Sequence, residues 1–81
     1  MSILGIFTSY WRKIYDNLLN EIKDGEISHY GGMTITRNGS DLRISVTGQP
    51  EFDMLDCKDS QLRAIVSGYL ADAGCSYLME K

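Results

Sequence analysis

The stretch MTITRNGSDLRISV, residues 33–46, decides the fold. Apolar and polar residues alternate on either side of Asn38-Gly39, and successive side chains of a strand point to opposite faces of a sheet. Asn-Gly between two such runs is the strongest short-range hairpin signal, because a two-residue reversed turn needs positive φ at both centres. A two-residue loop at Asn38-Gly39 pairs Ile35 with Leu42 and Met33 with Ile44, apolar against apolar. A one-residue slip sets Ile35 against Arg43 and is disfavoured. A four-residue loop, pairing Ile35 with Ile44, satisfies the same pattern, so two registers stay open. The other face carries Thr34, Thr36, Arg43, Ser45 and Thr47.

Immediately before this hairpin, Gly31-Gly32 bulges or bends its first strand, which leaves the side taken by Tyr30 undecided. After it, Gly48-Gln49-Pro50 turns the chain. Glu51–Leu55 is then expected as a short third strand with Phe52 and Met54 facing inward. Pro50 suits the start of an edge strand, where no ladder donor is needed.

The N-terminal segment SILGIFTSYWRKIYDNLL, residues 2–19, raises a different question: anchor, docking surface or core wall. At 100° per residue, Ile3, Phe7, Trp11, Ile14, Leu18 and Ile22 share one face, with Leu4, Tyr10, Tyr15 and Leu19 flanking it. Ser9, Arg12, Lys13, Asp16, Asn20 and Lys23 collect opposite, and Asp24-Gly25 supplies the stop. The anchor reading fails. Arg12, Lys13 and Asp16 interrupt any apolar span, and the polar face lacks the basic excess that an interfacial helix uses. The preferred reading is a helix walling the protein's own core. An apolar arc this wide leaves two further uses for its edge: an exposed contact patch of Tyr10 with Tyr15 and Leu19 or with Phe7, or a homodimer through this helix.

A second helix is expected after Asp56–Ser60, N-capped by Asp59 or Ser60. Leu62, Ile65, Val66, Tyr69, Leu70 and Ala73 form its apolar stripe, and Gly74 ends it. The tail CSYLMEK, residues 75–81, reads as a short last strand or an extended segment. The fold class is therefore α+β: a small two-layer domain in the order helix, hairpin, third strand, helix, with both helices on one face of an antiparallel sheet.

Bulk properties agree with one small domain spanning residues 1–81. Eleven acids against eight bases give a net charge of −3, so a chain-wide cationic footprint for nucleic acid is missing. Cys57 and Cys75 are too few for a secreted disulfide scaffold and read as free thiols in a reducing cytoplasm.

No reactive constellation stands out. His29 is the single histidine, neither cysteine sits in a nucleophile signature, and zinc-ligand spacing is absent. No cofactor or metal is expected: Gly31-Gly32 precedes a strand rather than a helix N-terminus and so makes no phosphate-binding loop, and a divalent-cation site in residues 51–59 lacks the calcium-loop spacing and its central glycine. The segment EFDMLDCKD, residues 51–59, gathers Glu51, Asp53, Asp56 and Asp59 against Lys58 alone. These acids either complement the start of the second helix or make a local negative field that meets a partner.

Two functions follow as expectations. The first is a small acidic, non-enzymatic interaction module, an inhibitor or adaptor that covers a basic, nucleic-acid-binding surface on a larger protein. Small inhibitors carried by phages and other mobile elements share this size and composition. Its contact residues would be Glu51, Asp53, Asp56 and Asp59, with Tyr10, Tyr15, Tyr30 and Arg43. The second is a nucleic-acid-binding module, since the element order is also that of double-stranded-RNA-binding domains. Those domains bring a lysine cluster to the start of their second helix, where this chain has CKDSQLR, residues 57–63.

Overall fold

A computed structural model describes the backbone of residues 3–79 and the side chains of residues 10–78. The chain runs through helix α1 (Ile3–Glu21), strands β1 (Ile27–Tyr30), β2 (Met33–Asn38), β3 (Asp41–Val46) and β4 (Phe52–Asp53), a 3₁₀ turn at Met54–Asp56, helix α2 (Ser60–Asp72) and a C-terminal 3₁₀ turn at Ser76–Met79. The strands form one antiparallel sheet in the order β1-β2-β3-β4. This is the two-layer α+β architecture that the alternation and the helical stripes call for.

The core is one cluster drawn from both layers. Trp11, Ile14, Tyr15, Leu18 and Ile22 of the α1 segment meet Tyr30, Met33, Ile35, Leu42, Ile44 and Val46 of the sheet, with Val66 and Leu70 of α2 closing the side. Each fully buried aliphatic side chain among these stabilises the fold by about 1.5–3 kcal/mol. The predicted positions Ile3, Leu4 and Phe7 lie outside the described side chains. Ile65 and Ala73 of the expected α2 stripe are exposed, because one narrow contact line along α2 suffices to cover this end of the sheet.

The sheet departs from expectation in three places. Gly31-Gly32 is not a bulge but the turn of a further hairpin, in which Tyr30 pairs with Met33 and Ile27 with Thr36. Gly31 takes φ +65, and a Cβ on Gly32 would lie 3.2 Å from Thr47 Oγ1 and 3.3 Å from the Tyr69 ring. Both glycines are thus required, one for conformation and one for close approach. The expected third strand shortens to Phe52–Asp53, and Met54 turns into the core on the 3₁₀ turn instead of continuing the ladder. Within the tail, Ser76–Met79 form a 3₁₀ turn rather than a strand, and residues 80–81 lie outside the described residues. The turn is held by Asn17 Nδ2, which donates to the Leu78 carbonyl at 2.6 Å, and by the buried Leu78 side chain.

The central hairpin adopts the second of the two open registers, with Ile35 opposite Ile44 and Asn38 opposite Asp41. Because Asn38 and Asp41 pair, Gly39-Ser40 forms a two-residue turn, and the register is reached without the expected four-residue loop. Positive φ is confined to glycines among the described residues, and Gly39 has φ +65. Glycine at the first central position is the signature of a type II′ turn, not of the type I′ turn that Asn38-Gly39 suggests.

Long-range bonds fix this choice. The Gly39 N–H donates to Asp24 Oδ1 at 2.7 Å, and the Tyr15 hydroxyl donates to the Ser40 carbonyl. Arg37 Nη1 donates to the carbonyls of Leu19 and Ile22, each at 2.8 Å, and Arg37 Nε to that of Gly39 at 2.6 Å. One guanidinium therefore satisfies orphan carbonyls at the end of α1 and grips the hairpin tip at once.

Candidate interaction surfaces

The acidic segment wraps the β4 edge and the start of α2. Arg43 Nε meets Glu51 Oε1 at 2.9 Å on the exposed surface, and Arg43 also lies opposite Asp53 in the sheet. Asp53 Oδ1 accepts from the Leu55 N–H at 3.1 Å, capping the first 3₁₀ turn. Asp59 caps α2 in the same way, accepting from Gln61 N–H at 2.8 Å. Asp56 is exposed and has no side-chain partner among the described residues. Three of these carboxylates thus organise backbone or pair with arginine.

Within this acidic stretch one apolar side chain faces water. Leu55 is 42% exposed, between Met54, which is buried, and Asp56. The 3₁₀ turn presents Leu55 because the residues around it are tied inward. Trp11 Nε1 donates to the Met54 carbonyl at 2.9 Å, and Arg63 Nη2 donates to the Cys57 carbonyl at 2.8 Å. The Arg63 guanidinium also stands 5.2 Å from the Trp11 ring centroid, a cation–π contact that ties α2 to α1.

The structure brings together Glu51, Asp53, Asp56 and Asp59 along one segment, with Arg43 beside them. It does not bring Tyr15 or Tyr30 to the surface, and the Phe7 side chain lies outside the described residues. Tyr15 and Tyr30 are each 4% exposed and belong to the core; Tyr10 is 40% exposed. Tyr15 turns inward because its hydroxyl reaches Ser40, and Tyr30 because the Gly31-Gly32 hairpin sets its parity. Sequence reading missed Leu55. A hydrophobic pair, Met54-Leu55, between Asp53 and Asp56 was visible, but a strand assignment sent Met54 inward without showing that the chain would turn there.

The sheet face away from the helices carries two cross-strand rows, Ile27–Thr36–Arg43–Asp53 and His29–Thr34–Ser45. His29 is exposed on that face, whereas Cys57 is buried in the core and Cys75 packs against it, both as free thiols. The sheet separates imidazole from thiol. No group of three or more potential metal ligands occurs among the described residues.

At the C-terminal turn the Tyr77 hydroxyl donates to Glu21, 2.7 Å from Oε2 and 2.9 Å from Oε1. The carboxylate pushes the Tyr77 pKa up to about 12. Burial raises the Tyr30 pKa as well, and its hydroxyl is enclosed without a hydrogen-bond partner among the described residues. No helix among the described residues is long and apolar enough to cross a membrane. The chain matches no family model, no curated protein and no solved structure.

Proposed function

We propose that the protein is a non-enzymatic interaction module, an inhibitor or adaptor, that applies the Glu51–Asp59 segment to a basic surface of a larger protein. The observation that carries this reading is Leu55: an exposed apolar side chain within the segment that carries Glu51, Asp53, Asp56 and Asp59. Interfaces place a desolvated apolar anchor at the centre and charge at the rim, where it steers encounter more than it adds affinity. Inhibition of a nucleic-acid-binding protein is the specific form we favour, because such surfaces carry the basic field that these carboxylates complement.

The nucleic-acid-binding alternative draws less support. Arg43 on the open sheet face is engaged by Glu51 and lies opposite Asp53, and α2 begins at Asp59 rather than at a lysine cluster. The test is capture on the immobilised full chain from bacterial lysate, run beside Leu55→Ala and Asp56→Lys. Both residues are exposed, so neither change should move the melting temperature by more than a few degrees. The expected result is a basic protein retained by the wild type, lost with either variant and released by added salt. Retention that both variants share removes this segment from the reading. A salt-sensitive shift of labelled RNA or DNA by the purified chain supports the alternative.

A further inference from the structure

The two edges of the sheet are unlike. β4 is two residues long, follows Pro50 and carries Asp53, all devices that discourage strand pairing. β1 has none of them: Ile27, Ser28, His29 and Tyr30 include no proline, lysine or carboxylate, and their ladder to β2 is unbroken. The parity of β1 is also fixed. Tyr30 and Met33 flank a two-residue turn, and the Arg37 N–H donates to the Glu26 carbonyl at 3.0 Å. Residues 26, 28 and 30 therefore aim backbone groups at β2, while Ile27 and His29 aim theirs at the free edge. Both are exposed, Ile27 at 57%.

We propose that β1 pairs antiparallel with β1 of a second copy, about a twofold axis at Ser28, joining two sheets into one. In that register Ile27 lies opposite His29 of the second copy, and the two residues exchange both of their outward N–H and C=O groups. Glu26 falls opposite Tyr30, so no like charges meet. Charge selects this occupant over a basic partner. Ile27–Tyr30 carry no carboxylate, lysine or arginine, whereas Glu51, Asp53, Asp56 and Asp59 lie along and after β4 at the far side of the sheet, so twofold pairing keeps the two acidic segments apart. The proposal stands on backbone parity and does not rest on the Glu51–Asp59 reading.

The test is sedimentation of the full chain across a concentration series. His29→Pro removes an N–H that faces the free edge and leaves the ladder to β2 intact, so the monomer fold is expected to persist. The expected result is a wild-type dimer and at least about tenfold weaker association of His29→Pro, with unchanged helical circular dichroism. Tyr10→Lys, on α1, should leave association unchanged. Hydrogen exchange on the wild type reads the same surface without a variant: the Ile27 and His29 amides should gain protection as concentration rises. A wild type that stays monomeric throughout, a dimer that survives His29→Pro, a dimer broken by Tyr10→Lys, or exchange at Ile27 and His29 independent of concentration would each overturn the proposal.

Discussion

Trp11 and Tyr30 show opposite treatments of a buried polar group. The indole N–H of Trp11 finds the Met54 carbonyl, which has turned away from the β4 ladder. Trp11→Phe keeps an aromatic ring in place but strands that carbonyl, and should cost about 1–3 kcal/mol in urea denaturation with little change in slope. Tyr30 buries its hydroxyl without a partner among the described residues. An unmet buried donor is a liability, so Tyr30→Phe should be neutral or raise stability by up to about 1 kcal/mol. A loss of more than that would mean that the hydroxyl is satisfied. At Tyr15 the identity is legible in the sequence as an aromatic on the helix flank, but its burial follows from Ser40, twenty-five residues on.

At the scale of elements, the hairpin turn is the instructive case. Asn38-Gly39 advertises a turn, and a turn forms there, displaced by one residue. Both registers put Ile35 and Met33 on the same face, so alternation alone leaves them equivalent. Asp24, Tyr15 and Arg37 break the tie by bonding the tip to the end of α1. The displaced turn has its own signature. Gly39→Ala places a Cβ in open space yet at φ +65, and should cost about 1 kcal/mol from backbone strain. Asn38→Ala, at a position without positive φ, should change thermal stability by less than half of that. The reverse ranking would restore the Asn38-Gly39 turn. The helices are easier to read, since their stripes and the Asp59 cap are local features.

For the molecule as a whole, the C-terminal turn closes the helical layer through Tyr77 and Leu78. A tyrosine whose pKa is raised from 10.0 to about 12 holds its proton more tightly when folded. Its contribution to stability is thus complete below pH 10 and is lost as pH rises toward 12. Tyr30, raised by burial, adds to the same loss. Melting temperature should fall through that alkaline window, and the double variant Tyr30→Phe/Tyr77→Phe should fall less steeply. A variant as steep as the wild type would assign the alkaline loss to other groups. The Tyr77 hydroxyl lies on the surface, so its share of the loss is small.

The sequence by itself determined the two helices, the antiparallel hairpin and the alternation that turns Met33, Ile35, Leu42 and Ile44 inward, because a period of 3.6 or 2 is written in neighbouring residues. Tertiary structure alone decided the hairpin register, the hairpin at Gly31-Gly32 and the burial of Tyr15 and Tyr30. It also decided that the chain turns at Met54 and leaves Leu55 exposed. The physical reason is degeneracy. A shift by two residues preserves every face that the pattern can specify, and only bonds between distant segments, such as Arg37 to the end of α1, distinguish the alternatives.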